Sequence, residues 1–270
     1  MVLLASLYVS EQSIRVHLRD LVRPMGVPGR ALRPVSWHAQ GVDDLLARVP
    51  LFAGLSEPDR QALSDHLDRQ DVTRGDVLFR EGDVGDRVFV VLSGKVKIGR
   101  QSADGRENLL YVMGPGDLFG ELSLFDPGPR TATATAVTDA SLVALEHTAL
   151  RPWLRSRPEA GALLLRVLAR RLRRTNDTMA DMVFTDVPGR VAKALLDLAD
   201  RFGEPAQPGN EAAGVRVEHG LTQEELAQLV GASRETVNKA LADFATRGWL
   251  RLDSRAVVLL DRERLARRAR

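Results

Sequence analysis

The hydrophobic period changes once along this chain, and that change restricts the folds open to it. Between Val77 and Val137 the apolar residues fall in short runs: Val77-Leu78-Phe79, Val88 to Leu92, Val96-Lys97-Ile98, Asn108 to Met113 and Thr131 to Val137. Glycines 75, 82, 94, 105, 114 and 116 separate them, and Ala103-Asp104-Gly105-Arg106 has the composition of a hairpin turn. Many short strands at regular spacing predict a β-sandwich or small barrel, not a parallel sheet. Further on, Leu165, Leu168, Leu172, Thr175, Met179 and Met182 recur at steps of three and four. That is a heptad seam, on a helix expected over 158–186. The other faces carry Arg166, Arg170, Arg171, Arg173, Arg174, Asp177 and Asp181. So narrow a stripe suits a helix pair across a dimer; the alternative is an amphipathic helix lying on its own domain.

A second helical unit follows Pro188. A helix is expected over Arg190–Phe202, a loop over 203–214 and a strand at Val215–Val217. Thr222 with Glu225 three residues on is a capping box, Gly231 ends that helix, and Ser233 caps the next with Thr236 in its first turn. Two short helices joined at a glycine, with small Ala227 at their approach, form a helix-turn-helix. Leu250–Leu252 and Val257–Leu260 read as a hairpin wing. At the other end, residues 1–41 read as a poorly ordered extension. Met1–Val9 is apolar, with no basic segment before it and no small-residue cleavage site after it, so a secretory signal is not expected. Val42 is an alternative start. A helical turn is expected over Asp43–Val49, and a helix capped at Ser56 is expected to run through Ala62, Leu63 and Leu67.

Composition narrows the chemistry. There are no cysteines, which excludes disulfides, thiolate zinc sites, cysteine nucleophiles and cysteine-held iron–sulfur clusters. The five histidines have no metal-ligand spacing, and the chain has no Gly-x-Ser-x-Gly motif and no phosphate loop with lysine. No metal and no enzymatic chemistry are expected. No apolar run reaches the roughly eighteen residues of a membrane helix. Charge is uneven: residues 43–150 carry 11 basic and 18 acidic side chains, and residues 151–270 carry 22 and 16. Either the second half meets a polyanion or solvated faces vary by chance.

Two further constellations carry chemistry. Phe119-Gly120-Glu121-Leu122-Ser123 puts a glycine before a short helical turn, whose backbone N–H groups suit a phosphate. Arg130, nine residues after Glu121, can neutralise it, and Glu121 can accept from a sugar hydroxyl. The alternatives are a bulge at Gly120 and a surface ion pair. Thr175, a hydroxyl in an apolar seam beside Asn176, is either a register device or the place where the seam meets a polar ligand. In the helix-turn-helix, Arg234 can fork onto guanine, Glu235 can accept from cytosine and Lys239 can reach guanine or phosphate.

Gly120 to Ser123, Arg130-Thr131, Ala169 to Asn176 and Gly231 to Leu241, in that order, resemble the cyclic AMP receptor protein family of bacterial transcription regulators, and most of all its actinobacterial members. The resemblance runs from about Val42 to Arg270. It implies an α+β fold: a β-sandwich (jelly-roll) cyclic-nucleotide-binding domain over 42–157, a dimerisation helix over 158–186 and a winged helix-turn-helix domain over 187–270. It implies cyclic AMP as allosteric effector, held by Gly120, Glu121, Leu122, Arg130, Thr131, Thr175 and Asn176. Thr131 stands where many members have serine. Asn176 stands where some have a serine that reaches the other subunit's ligand. The DNA-binding set is Thr222, Gln223, Ser233, Arg234, Glu235, Thr236 and Lys239, with Lys239 where the prototype has arginine, so that base is read less strictly. The expected partners are a second copy of the chain through the 165–182 seam, double-stranded DNA with half-sites like TGTGA, and RNA polymerase, in the cytoplasm. The family's iron–sulfur and haem types use cysteine ligands, which this chain lacks. A member that binds DNA constitutively or answers another nucleotide, and a regulatory module without DNA binding, are the alternatives; segment 221–241 argues against the last.

Overall fold

The computed structural model describes residues 66–102, 105, 107–207 and 213–270. The expected extension, the helical pieces upstream of residue 66, and turn residues Ala103, Asp104 and Arg106 lie outside the described residues.

Turn residues cut the first part into eight strands: β1 (Leu67–Val72), β2 (Val77–Phe79), β3 (Arg87–Ser93), β4 (Val96–Gln101), β5 (Glu107–Met113), β6 (Leu118–Phe119), β7 (Thr133–Ala136) and β8 (Ala140–Glu146). They form two four-stranded antiparallel sheets, ordered β1-β8-β3-β6 and β2-β7-β4-β5. Both sheets contribute to one core through Phe89, Val91, Val96, Ala134 and Leu142. β3 is buried on both faces: Phe89 and Val91 enter that core, while Val88 and Val90 pack with Leu150, Trp153, Ala160 and Leu164. Those four belong to α2 (His147–Arg155) and to the start of α3 (Pro158–Phe184). A strand sandwiched this way reads as a continuous apolar run.

Several elements differ from expectation. The helix expected through Leu67 gives way to β1, because Leu67–Val72 pairs along the whole edge of β8. β8 and α2 have no counterpart in the sequence reading, since Ser141-Leu142-Val143-Ala144-Leu145 is buried on both faces and does not alternate. The strand expected from Thr131 starts at Thr133, because the backbone of Arg130 is tied to Gly82 and Asp83. The expected loop 203–214 opens with β9 (Gly203–Pro205), paired with β10 (Val215–Val217). A Cβ at Gly203 would lie 2.3 Å from the Ala199 carbonyl oxygen, so glycine is what lets the chain turn there.

α3 has 27 residues, about 40 Å of helix. α4 (Val187–Phe202) begins three residues earlier than expected, because Asp186 caps it by accepting from the Gly189 N–H at 3.0 Å and Pro188 suits the first turn. α5 (Gln223–Val230) carries the expected capping box, Gly231 takes the left-handed conformation at φ 68°, and Ser233 caps α6 (Arg234–Thr246). β11 (Leu250–Asp253) and β12 (Ala256–Leu259) form the wing in a sheet ordered β11-β12-β10-β9, and α7 (Arg262–Arg268) closes the chain. Leu195, Val237, Phe244 and Leu265 anchor this unit's core.

The helical unit rests on the second sheet. Leu109, Val112 and Val137 pack with Leu221. Lys97 on β4 meets Glu225 at 2.7 Å, and Arg74 donates to the Gly220 carbonyl at 3.1 Å. His219 sits in the same contact, with Nδ1 accepting from the Leu221 N–H. Burial, and next the Lys95 charge, push His219 from 6.5 down to about 4, against an opposing pull from Glu225. The unfolded chain therefore takes up the proton first as pH falls. The stability His219 contributes is complete above pH 6.5 and is lost between 6.5 and about 4. Its loss from pH 7 to pH 5 should be about 2 kcal/mol. Urea unfolding at the two pH values should show this drop, and His219→Asn, which keeps an acceptor but cannot titrate, should remove that much of it.

Candidate functional site

Gly120 has φ +79°, and a Cβ there would sit 2.7 Å from Arg130 Nη1 and 3.3 Å from the Arg87 carbonyl oxygen. Glycine leaves the room that this guanidinium fills. Arg130 is 5% exposed. It donates from Nη1 to the Gly120 carbonyl (2.9 Å) and from Nη2 to the Arg87 carbonyl (2.7 Å), and it lies over the Phe79 ring at 4.3 Å. Burial pulls the guanidinium below its ordinary value, with Asp86 opposing. Its Nε is a buried donor with no acceptor among the described residues. An unpaired N–H on a desolvated cation fits an anionic oxygen.

Glu121 begins the turn that becomes α1 (Leu122–Phe125) and is 3% exposed. Its partner is Arg171 of α3, at 2.6 Å, which removes the alternative of a surface ion pair with Arg130, whose Nη atoms are spent on backbone carbonyls. Arg171 also donates to the Leu118 carbonyl. The sequence reading placed Arg171 on the wet face of the seam helix and missed this role. The available signal was its place one helical turn before Thr175. Thr175 Oγ1 donates to the Arg171 carbonyl at 3.0 Å and contacts the Tyr111 hydroxyl on β5. Tyr111 was missed because it lies within an apolar strand run. Tyr111 and Thr175 also line a 340 Å³ cavity with Met179, Lys193, Asp197 and Leu229.

The structure thus brings Gly120, Glu121 and Arg130 together and connects Thr175 to them through Arg171. Leu122 and Thr131 are exposed beside them. Asn176 is exposed and makes no hydrogen bond to this cradle among the described residues. Along the seam, Leu165, Leu172, Met179 and Met182 are exposed and Leu168 is half-buried.

On the helix-turn-helix, Thr222 and Ser233 act as caps, accepting from the N–H groups of Glu225 (3.1 Å) and Thr236 (3.2 Å). Gln223, Arg234, Glu235, Thr236 and Lys239 are exposed. Glu235 and Lys239 pair at 2.8 Å, but both are more than three-quarters exposed. Such a pair contributes under about 1 kcal/mol and parts easily for another partner. Among the described residues no helix is long and apolar enough to cross a membrane, and no cluster of three metal-ligating side chains occurs.

Comparison with known proteins agrees with this geometry. Residues 69–157 match the model of the cyclic nucleotide-binding domain, and residues 189–268 match that of the Crp-like helix-turn-helix domain. The chain is 59% identical over 229 residues to the CRP-like cAMP-activated global transcriptional regulator of Mycobacterium tuberculosis, covering 85% of this chain and 100% of that one. It is 36% identical over 203 residues to the cyclic AMP receptor protein of Thermus thermophilus, covering 75% and 88%. A solved transcriptional regulator of the CRP family, also from Thermus thermophilus, aligns with TM-score 0.63 and 30% identity, over 74% of this chain and 96% of that one.

The Glu121–Arg171 pair should behave as a buried ion pair. Arg171→Met strands a carboxylate and should cost about 3 kcal/mol of stability in urea unfolding. Adding Glu121→Gln should recover most of that loss, since the stranded charge is then gone.

Proposed function

The chain belongs to the cyclic AMP receptor protein family of transcription regulators, and on that footing we propose that it is a cyclic AMP-responsive regulator that binds specific DNA sequences as a homodimer. The observation that carries the effector reading is the buried, unpaired Arg130 Nε next to Gly120 and the buried Glu121 carboxylate. Cyclic AMP has one phosphate charge for Arg130, a ribose hydroxyl for Glu121 and an adenine for Thr175. Gly120, Leu122 and Thr131 border the phosphate, and Asn176 comes from the neighbouring copy's helix. Residues 42–157 bind the effector, 158–186 form the dimer helix through Leu165, Leu168, Leu172, Thr175, Met179 and Met182, and 187–270 bind DNA. The exposed apolar stripe on α3 supports the dimer.

The chain does no covalent chemistry in this reading. Effector and DNA are linked: a ligand that binds better to the DNA-competent arrangement shifts the population toward it. Arg234, Glu235 and Lys239 face bases in the major groove, and Thr222, Gln223, Ser233 and Thr236 border them. Double-stranded DNA and RNA polymerase are the partners, which places the protein in the cytoplasm.

Calorimetric titration with cyclic AMP and cyclic GMP tests the effector. Cyclic AMP should bind more tightly, and Arg130→Ala should lose about 1.5–3 kcal/mol of binding. Equal or tighter cyclic GMP binding would overturn the assignment. For DNA, a dimer with one reading helix per subunit should select a near-palindrome with half-sites about 34 Å apart. In competition binding over single-base variants at fixed salt, Arg234→Ala should cost about 1–3 kcal/mol per half-site and relax one base position. A uniform loss across all variants would assign Arg234 to phosphate instead.

A further inference from the structure

Resting on the reading that α6 enters a major groove, we infer that the helix closing the chain is a second DNA contact, in which Arg267 and Arg270 of each subunit hold backbone phosphates bordering that groove. Residues 151–270 carry 22 basic and 16 acidic side chains. Half of that excess lies in residues 261–270, where five arginines stand against Asp261 and Glu263. Charge of one sign gathered at one end of a domain is the electrostatic footprint of a polyanion. Its place in the fold makes that polyanion the DNA that α6 meets.

α7 is anchored by Leu265, fully buried in the core of the helical unit, and is capped by Asp261, which accepts from the Arg264 N–H at 2.9 Å. Its last turn lies at the joint between α3 and α4. Arg268 pairs there with Asp186 at 2.5 Å, and a Cβ on Gly189 would be 3.1 Å from the Arg268 carbonyl oxygen. Thr185, beside Asp186, accepts from Arg190, whose Nη2 also donates to the Gly231 carbonyl at 3.2 Å. Gly231 is the turn that leads into Ser233 and Arg234. The bond to Asp186 holds the Arg268 guanidinium above its ordinary value against burial, and the Asp243 charge of α6 adds to this. The end of α7 therefore lies alongside α6. Glu235 and Asp243 are eight residues apart, about 12 Å of helix rise. The major groove is about as wide, roughly 12 Å. A helix that reads bases with its first turn has groove-wall phosphates within that distance, beside the end of α7.

The arginines of this segment divide by partner. Arg262 pairs with Asp200, Arg264 with Asp261 at 3.1 Å, and Arg268 with Asp186. Arg267 and Arg270 are exposed and have no ion pair or hydrogen bond among the described residues. Leu265 turns into the core, so Arg267, two residues on, turns away from it. A cation in the last turn of a helix is favoured by the helix dipole, and Arg267 and Arg268 both stand there. Arg270 lies beyond the cap at Ala269, where the dipole gives it little. Its charge and that of Arg267 remain whole for an anion, and the guanidinium fork matches a phosphate. Such contacts add affinity without reading sequence.

The test is the salt dependence of binding by the full chain, with cyclic AMP present, to the duplex that the wild-type protein selects from a randomised pool. Each phosphate contact contributes about 0.9 to the slope of log affinity against log salt. The double variant Arg267→Ala, Arg270→Ala removes two arginines from each of two subunits, so the slope should fall by about 3.6. Affinity should fall by the same factor for every single-base variant of the duplex. Arg267→Lys with Arg270→Lys keeps the charge and should keep most of the slope. Arg155→Ala, which removes an exposed arginine from α2, should leave the slope unchanged. An unchanged slope in the double alanine variant overturns the inference. So does a fall of similar size per arginine in Arg155→Ala, or a base position relaxed by the double variant. These results leave sequence reading by α6 intact. A wild-type protein that selects no duplex from the pool overturns the DNA-binding reading itself, and this inference with it.

Discussion

Glu121 is a carboxylate with 3% exposure, and burying such a group is costly unless a cation pairs with it. Arg171 is that cation, and it comes from α3 rather than from the turn that forms the cradle. The consequence is mechanical. The β6–α1 turn and the long helix cannot move apart without stranding a buried charge. Whatever changes the cradle is therefore felt by α3. The same helix carries Thr175, presents the apolar seam, and ends at Thr185, whose carbonyl accepts from Arg190 Nη1 at 2.7 Å. Arg190 Nε reaches on to the Val230 carbonyl at 3.0 Å, at the end of α5. One arginine thus joins the end of the long helix to the turn of the helix-turn-helix.

A second connection runs beside the first. Glu225 closes the capping box of α5 and pairs with Lys97 of β4. Burial alone would raise its pKa, yet Lys97 and the Thr222 backbone and hydroxyl hold it below the ordinary carboxylate value. The carboxylate that starts the first DNA-binding helix is therefore also a rivet to the effector half. Phe202 adds an apolar contact at the same face: a Cβ on Gly114 would lie 2.3 Å from its ring. An effector that favours a different relation between the halves must compensate for these contacts, which bounds how far a ligand of given differential affinity can shift the population.

The sequence made some of this legible and hid the rest for physical reasons. Capping residues act locally, so Thr222, Glu225, Gly231 and Ser233 announced α5 and α6 with their ends. The heptad period announced α3 in the same way. β8 stayed hidden because a strand buried on both faces loses its alternation, and β1 stayed hidden because its pairing partner lies far along the chain, from Leu67 opposite Leu145 to Val72 opposite Ala140. In the site, Gly120, Glu121 and Arg130 stand close in sequence and were found together. Arg171 and Tyr111 were not, since an arginine among many on a wet helix and an aromatic in a strand have no local mark of function. Only the tertiary contact distinguishes Arg171 from Arg170 and Arg173. The alternative of a Glu121–Arg130 ion pair stayed open in the sequence for the same reason, as the carbonyls that occupy Arg130, those of Gly120 and Arg87, lie far apart along the chain.

The two ends of the molecule differ in how freely they can change. α6 buries Val237, Ala240, Leu241 and Phe244 and leaves Arg234, Glu235, Thr236 and Lys239 in solvent. That exposed face makes no contribution to the core, so substitutions there leave the folding of the unit undisturbed. The cradle has no such separation. Arg130 fills the space left by Gly120, Glu121 depends on Arg171, and the Thr175 hydroxyl is tied to the backbone of that same arginine. Each of these residues is tied into the fold by the others. A substitution there must keep the Glu121–Arg171 pair whole, because a carboxylate left alone at that depth costs more than any single surface contact returns.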